Sequence, residues 1–373
     1  MAYQREKTMD QIDRLSKILI FLQSIGWHKA IRKHMQGDAS SRSYERLCLE
    51  RKQAILMNIP TNMNSNIEGE DKTYSSATYL AEGTSQFIKI AKVLTKNGFS
   101  APKIFASEPE NGLLLLEDLG EKTFLALAEH GHYEFNMIEA ALDVLISLHI
   151  KGFPKNMSLP KKETLELHDY DIDVLKTEVG LILDWMWPLA KKKKCDETSR
   201  EAFYEIWSTH FRWLDTQSKC WVLRDYHSPN LLWLSDRKAT QRVGLIDFQD
   251  AVFGHPAYDV VSLLQDARID IPKDWEPRLL NYYCKKMAIA IPKFDKESFL
   301  SAYHLLAAQR AVKNLGIFVR LAVRDNKSDY LCHIKRNSAY LEKNLSHPTL
   351  KNVNIWFQKH LPDNIRTLIL QII

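Results

Sequence analysis

Three oxygen-bearing side chains lie close together in the sequence, at the ends of two apolar runs. The segment VLRDYHSPNLLWL, residues 222–234, carries Asp225 and, five positions later, Asn230. A second apolar run, VGLIDFQDAV, residues 243–252, leads into Asp247. Phosphoryl transfer from ATP needs a carboxylate that orients the attacking hydroxyl and accepts its proton, and hard oxygen ligands that hold Mg²⁺ against the phosphates. The residue types and spacing therefore predict that these three side chains form one site for phosphoryl transfer.

The elements that position this site change character along the chain. Helical spacing of apolar residues is followed by short alternating strands and then by one further helix. These elements are predicted at residues 9–25 (helix), 28–60 (strands), 76–98 (helix), 102–107 (strand) and 112–120 (strand). From Gly120 onward nearly everything is predicted to be helical, except the strand-like runs that flank Asp225 and Asp247. The pattern predicts two domains, a β-rich N-terminal domain over residues 1–118 and a mainly helical C-terminal domain over residues 119–373.

Composition excludes several other classes of protein. The chain of 373 residues has 45% apolar and 26% charged residues, and its net charge of 51 − 46 = +5 is too mild and dispersed to indicate nucleic acid. The basic run at Lys191–Lys194 is interpreted as a solvated helix end. The five cysteines are widely spaced, which argues against a disulfide framework or a zinc cluster and predicts a cytoplasmic protein. We expect neither a signal peptide nor a membrane span.

The two motif segments together resemble a known family. LRDYHSPN (residues 223–230), followed by IDFQDAVFGHPAYDVVSLL (residues 246–264), is similar to the catalytic and metal-binding segments of the aminoglycoside phosphotransferase / choline kinase-like family. The resemblance implies a two-lobed, protein-kinase-like α+β fold that uses ATP and Mg²⁺. The residue roles that it implies are a catalytic base at Asp225, Mg²⁺ ligands at Asn230 and Asp247, and a buried acid that braces the catalytic loop at Asp259.

Other segments extend the resemblance over nearly the full length. GDASSRSYERL (residues 37–47) stands where the family has its nucleotide-covering hairpin, and LLLLEDLG (residues 113–120) where it has the hinge that binds adenine through its backbone. The nucleotide-binding residues so implied are Ser40, Ser41, Arg42, Glu117, Asp118 and Leu119. With ILMNIP (residues 55–60) and QRAVKNLGIFVRLAVRD (residues 309–325), the chain resembles the bacterial N-acetylmuramate/N-acetylglucosamine kinases of cell-wall recycling. Their acceptor would be a small molecule, the anomeric hydroxyl of an N-acetylated amino sugar.

Three positions depart from the family pattern. Leu223 stands where the family usually has a histidine that packs and orients backbone, which is a role that a leucine can fill. His227 occupies the place of a lysine near the γ-phosphate, where it either donates a hydrogen bond or points to solvent. Met57 replaces the strand lysine that pairs the phosphates, so that Arg42 or Arg46 is the candidate substitute; alternatively both arginines are ordinary exposed strand residues.

The acceptor side is less defined by the sequence. Asp250 either faces a substrate or caps a turn. Arg310 and Lys313 share one helix face, which would meet the lactyl carboxylate of an acceptor or be solvated. The acidic segment LHDYDID, residues 167–173, either suits a cationic acceptor or caps a helix. Two alternatives therefore stay open: an aminoglycoside or choline-type kinase, and a nucleotide-binding pseudokinase, which Met57 and Leu223 favour.

Overall fold

The N-terminal part of the protein is built on one antiparallel sheet. The computed structural model describes residues 2–35, 42–59, 70–81 and 83–368, so the predicted nucleotide-binding residues Ser40 and Ser41 lie outside the described residues. The sheet has five strands in the order β1-β2-β3-β5-β4. Its strands are β1 Ile31–Met35, β2 Ser43–Leu49, β3 Lys52–Asn58, β4 Ile104–Glu108 and β5 Leu113–Glu117.

The two faces of this sheet are covered by two different helices. Alternate residues of a strand point to opposite faces, and β5 follows this rule. Leu113 and Leu115 pack with helix α1 (Ala2–Ser24), whereas Leu114 and Leu116 pack with helix α3 (Ser85–Lys96). Because each buried leucine contributes about 2 kcal/mol, the alternation fixes the register of the central strands.

The single helix predicted over residues 76–98 is wrong. The structure has two helices, α2 (Glu70–Ala77) and α3, separated by a connection over residues 78–84. The right-handed helical path is interrupted here, since Tyr79 and Gly83 have positive φ angles of 54° and 78°. The connection then leaves the N-terminal sheet and contacts the C-terminal part of the chain.

The C-terminal part is mainly helical, as predicted. Its helices are α4 Phe124–Glu129, α5 Phe135–Lys151, α6 Ile172–Leu181, α7 Trp187–Lys191, α8 Glu197–Asp215, α9 Ala257–Leu264, α10 Trp275–Ala290, α11 Lys296–Asp325, α12 Ile334–Leu345, α13 Lys351–His360 and α14 Asp363–Leu368. Its strands are β6 Asn156–Ser158, β7 Thr164–Glu166, β8 Cys220–Val222, β9 Leu231–Trp233, β10 Val243–Leu245 and β11 Val252–Gly254. The β6–β7 hairpin was not predicted. Within the ranges given above, no helix is both long and apolar enough to cross a membrane.

The two parts meet at the end of β5, where Glu117 leads into Gly120. Ion pairs join them on either side of the chain crossing. Arg46 of β2 pairs with Glu121 of the C-terminal part, and Arg237 of the C-terminal part pairs with Glu117 at 2.8 Å. The architecture is therefore a β-rich N-terminal lobe joined to a mainly helical C-terminal lobe, which is the α+β arrangement that the sequence predicted.

Candidate active site

Two short antiparallel strand pairs of the C-terminal lobe bring the three predicted side chains together. Strand β8 pairs with β11 and strand β9 pairs with β10, so the β8–β9 loop and the β10–β11 loop emerge side by side. Asp225 and Asn230 lie on the first loop, and Asp247 lies on the second. All three side chains line one small cavity that faces the N-terminal lobe. The structure therefore places these side chains in a single site, as their spacing predicted.

Asp259 holds the first loop through backbone hydrogen bonds. Its carboxylate accepts from the backbone N–H of Leu223 at 2.6 Å and from that of Arg224 at 3.0 Å. Asp259 is fully buried near the start of α9, and burial raises the pKa of its carboxyl to about 7 even though both backbone donors oppose the change. The loop that carries Asp225 is thus fixed to α9.

Arg224 adds a second anchor from the residue next to Asp225. It adopts the left-handed conformation, with a φ angle of 66°, and its side chain is buried. The guanidinium donates to the carbonyl oxygen of Thr78 in the α2–α3 connection at 2.8 Å and to Glu178 of α6 at 2.8 Å. A strained backbone at this position is held by contacts with both lobes.

Asp225 stands at the bottom of the cavity beside a histidine. Its side chain is 41% exposed, and its Oδ1 lies 3.6 Å from Nε2 of His227. Burial would raise the pKa of Asp225, but the nearby His227, followed by the charges of Lys313 and Arg224, holds that pKa well below its usual range. Asp225 is therefore a carboxylate, able to accept a proton. His227 is buried and also lies 3.5 Å from Arg268, so its interpretation as a solvent-pointing residue is wrong.

The donor set formed by Asn230 and Asp247 fits a hard metal ion. The Asn230 Nδ2 donates to the backbone carbonyl of Asp225 at 3.0 Å, so the amide oxygen is the atom that would bind a metal. Asp247 has a φ angle of 59° and accepts from Gln249 at 2.9 Å. Burial, followed by the negative charges of Asp225 and Asp250, raises the pKa of Asp247 although Arg42 opposes the change. A cation at this point would relieve the repulsion between the carboxylates.

The N-terminal lobe supplies one arginine to this cluster and a second to the hinge. Arg42 Nη1 lies 3.1 Å from Asp247 Oδ1, and the Arg42 side chain is only 10% exposed. Arg46 instead donates to Asp118 at 2.6 Å and also pairs with Glu121, at the junction between the lobes. The interpretation of both arginines as ordinary exposed strand residues is wrong.

The hinge residues line the junction between the lobes. Glu117 accepts from Arg237, and Asp118 accepts from Arg46 and from the backbone N–H of Gly120 at 2.8 Å. Leu119 lies directly against Gly244 of β10, where a Cβ would come within 3.1 Å of the leucine side chain. Their predicted role in nucleotide binding stays a prediction.

The predicted acceptor residues are buried and have partners within the protein. Asp250 is buried and accepts from the backbone N–H of Ala81 at 2.6 Å. Lys313 lies 2.8 Å from Glu178, and Arg310 donates to Ser262 at 2.7 Å. Both cations are buried, so the solvated helix face is wrong. A direct contact of Asp250, Arg310 or Lys313 with an acceptor stays a prediction.

Glu178 was missed by the sequence interpretation. It is fully buried on α6 and receives hydrogen bonds or ion pairs from Arg224, Lys313, Gln309 and Tyr170. Burial would raise the pKa of Glu178, but Lys313 and Arg224 lower it. The signal was present in the sequence, because the positions three and four residues away on either side are apolar: Val174, Leu175, Leu181 and Ile182. An acid in the middle of an apolar helix face predicts a buried charge pair.

The acidic segment before α6 caps that helix and forms an ion pair. Asp171 caps α6 by accepting from the backbone N–H of Asp173 at 3.1 Å and of Val174 at 3.0 Å. Asp169 pairs with Lys155 at 2.6 Å. These carboxylates therefore cap a helix and balance a lysine, which supports the capping interpretation.

A β-rich lobe, a helical lobe and a cleft with an Asp, an Asn and a second Asp at its base define a kinase-like phosphotransferase. Residues 33–298 match the phosphotransferase enzyme family, known as APH, and the chain belongs to this family.

Similar proteins agree with this assignment. The N-acetylmuramate/N-acetylglucosamine kinase of Caulobacter vibrioides is 34% identical over 355 residues, covering 93% of this chain and 96% of that protein. The kinase of the same name from Pseudomonas aeruginosa is 34% identical over 268 residues, covering 70% and 73%.

Solved structures show the same fold at low sequence identity. The choline kinase LicA from Streptococcus pneumoniae gives a TM-score of 0.56 at 13% identity, covering 89% of this chain and 99% of that one. The ADP-bound aminoglycoside phosphotransferase APH(2'')-Ib gives 0.52 at 15% identity, covering 88% and 96%. The protein-kinase-like fold is thereby confirmed.

Proposed function

We propose that this protein is an ATP- and Mg²⁺-dependent kinase that phosphorylates the anomeric hydroxyl of N-acetylmuramate and N-acetylglucosamine. The observation that carries the proposal is the convergence of Asp225, Asn230 and Asp247 on one cavity of the C-terminal lobe, where Arg42 of the N-terminal lobe contacts Asp247. The names of relatives that are similar over most of the chain support the choice of acceptor.

Asp225 is the proposed catalytic base. In the reaction, the acceptor oxygen forms a bond to the γ-phosphorus, the bond from that phosphorus to the bridging oxygen breaks, and the hydroxyl proton passes to Asp225. His227 lies beside this carboxylate, with its Nε2 3.6 Å from Asp225 Oδ1, and is proposed to donate a hydrogen bond to the transferred group. Asn230 and Asp247 would hold Mg²⁺, which supplies charge neutralisation on the phosphates when bound.

The nucleotide would lie between the lobes. We propose a lobe boundary at Asp118–Leu119, with the backbone of Glu117, Asp118 and Leu119 bonding the adenine. The ion pairs of Glu117 with Arg237 and of Asp118 with Arg46 support this arrangement, because they engage the side chains and stiffen the segment whose backbone would bind adenine. Ser40 and Ser41 are proposed to cover the phosphates.

The side chains around Asp225 leave little net charge that could select the acceptor. Two buried cations, Arg224 and Lys313, face the carboxylates of Glu178 and Asp225. The choice of N-acetylmuramate as an acceptor is therefore supported by the names of the relatives and not by charge. The acidic residues that would have favoured an aminoglycoside or choline are engaged in a cap and an ion pair.

The test is Mg²⁺-dependent ADP release with N-acetylmuramate, N-acetylglucosamine, an aminoglycoside and choline as acceptors. We expect turnover on the two N-acetyl sugars, and ³¹P NMR of the product should show an anomeric phosphate. Asp225→Asn should keep the fold, measured by circular dichroism, and lower kcat about 10²- to 10⁴-fold. The matched control is Asp236→Asn, at an exposed turn, which should keep wild-type kcat. Full turnover by Asp225→Asn would refute the base assignment, and ATP binding without transfer to any acceptor would favour a pseudokinase.

A further inference from the structure

Strand β3 supplies no charge to the cleft. Met57 pairs with Tyr44 of β2 and Leu114 of β5, and its side chain is fully buried in the hydrophobic core. The place where the family carries its phosphate-pairing lysine is therefore apolar. A kinase with this strand needs another cation to balance the nucleotide phosphates.

Arg42 is the N-lobe cation that reaches the carboxylate cluster. It stands immediately before β2, and its guanidinium approaches Asp247 Oδ1 at 3.1 Å and Asp250 Oδ2 at 3.8 Å. A guanidinium stays charged at any physiological pH, so Arg42 brings a positive charge to these carboxylates. Arg46, the other candidate, is committed to Asp118 and Glu121 at the hinge.

The position of Arg42 conflicts with a metal ion on the same carboxylate. Asp247 is a proposed metal ligand, and its Oδ1 already accepts from Arg42 and Gln249. A divalent cation and a guanidinium would repel one another at this short distance. A guanidinium is also a good donor to phosphate oxygens, since its fork of N–H groups binds two oxygens at once.

We propose that Arg42 exchanges partners during nucleotide binding: in the empty enzyme it neutralises Asp247 in place of the metal, and with ATP bound it moves to the phosphate oxygens in place of the missing lysine. This inference rests on the proposed function of the site. It makes Arg42 both a competitor of the metal and a ligand of the nucleotide, so one substitution should change the two affinities in opposite directions.

The experiment measures two dissociation constants on the full chain by calorimetry. Mn²⁺ alone probes the carboxylates, and ATP in the presence of EDTA probes the phosphate contact. We expect Arg42→Met to bind Mn²⁺ about tenfold more tightly and metal-free ATP about tenfold more weakly than the wild type. Arg42→Lys keeps the charge and should show smaller shifts of the same signs. Arg32→Met removes an arginine of the same sheet that pairs with Glu45, and both its constants should equal those of the wild type.

The outcomes separate this inference from the function on which it rests. Unchanged or weaker Mn²⁺ binding by Arg42→Met and Arg42→Lys would overturn the competition, and unchanged ATP binding would overturn the phosphate contact. If the opposite shifts appear while the wild type phosphorylates no acceptor, the exchange stands and the proposed function fails. If the wild type phosphorylates N-acetyl sugars and neither constant shifts, the function stands and the exchange fails.

Discussion

At the scale of single residues, the loop beside Asp225 is held by its backbone. Leu223 is buried in the core. Its position is fixed by a hydrogen bond from its backbone N–H to the Asp259 carboxylate at 2.6 Å. Any side chain that fills this apolar space leaves the hydrogen bond intact. A leucine in place of the usual histidine is therefore compatible with an ordered loop around Asp225, and Leu223 gives little support to a pseudokinase.

Replacing Asp259 should disturb both stability and turnover. Asp259→Ala leaves two buried N–H groups, those of Leu223 and Arg224, without their acceptor, and we expect a loss of about 3 kcal/mol in the free energy of unfolding. Urea denaturation measures this loss, and kcat should fall because the Asp225 loop is no longer fixed. Asp259→Asn keeps the volume and one acceptor oxygen and should lose less. Equal stability of the alanine variant and the wild type would contradict the bracing role.

At the scale of elements, the phase of a strand decides which residue enters the cleft. Leu56 of β3 packs toward α1, whereas Met57 packs on the α3 face of the sheet. A lysine at position 57 would therefore have to enter the core before its charge reached the cleft. The apolar residue fits the packing that surrounds it, and this is a physical reason for the departure from the family pattern.

Met57→Lys should destabilise the N-terminal lobe without improving catalysis. Burying an unpaired ammonium group costs about 3–5 kcal/mol, so we expect a clear decrease in the urea midpoint. Met57→Leu conserves volume and should cost less than about 1.5 kcal/mol. If Met57→Lys were as stable as the wild type and had a higher kcat/KM, the new lysine would be binding the phosphates. That outcome would contradict the proposal that Arg42 replaces the missing lysine.

Local sequence patterns predicted much of the fold, whereas the contacts between residues far apart in the sequence could not be predicted from them. The strands around Asp225 and Asp247 could be predicted from apolar runs that end in polar residues. The spacing of the motif predicted that Asp225, Asn230 and Asp247 share one site. The break between α2 and α3 was missed because the residues on either side, Ala77 and Ser85, continue a helical pattern. The backbone between them is instead hydrogen-bonded to distant residues: the Thr78 carbonyl accepts from Arg224, and the Ala81 N–H donates to Asp250.

The burial of Lys313 and Arg310 was missed for a related reason. Charged residues on a long helix such as α11 are usually solvated, and only a partner on another element makes their burial favourable. That partner, Glu178, lies 135 positions away in the sequence from Lys313. Periodicity describes one element at a time, so it predicts the helix but not which of its faces carries a buried ion pair.

At the scale of the whole molecule, the C-terminal lobe buries histidines that must stay neutral. His149 of α5 is paired through Nδ1 with the hydroxyl of Tyr283 on α10 at 2.7 Å. Burial, followed by the nearby His255, lowers the pKa of His149 to about 3, and burial lowers that of His255 to about 4. His149 links α5 to α10, and the His255 ring packs against Phe299 of α11, so protonation of either residue bears on the stability of the lobe.

The fold should lose stability as the pH falls below 6.5. The unfolded chain binds a proton at His149 near pH 6.5, whereas the folded chain binds it only near pH 3. On acidification the unfolded state therefore gains the proton first, and the stability present above pH 6.5 is lost. At pH 5 this loss is about 2 kcal/mol for His149. Urea denaturation at pH 7.5 and pH 5 should therefore show a decrease in unfolding free energy that is about 2 kcal/mol smaller in His149→Gln than in the wild type.

His130→Gln, at an exposed helix end, is the matched control and should keep the wild-type decrease. The same decrease in all three proteins would mean that His149 binds its proton equally well folded and unfolded, and that the acid sensitivity of the lobe has another source.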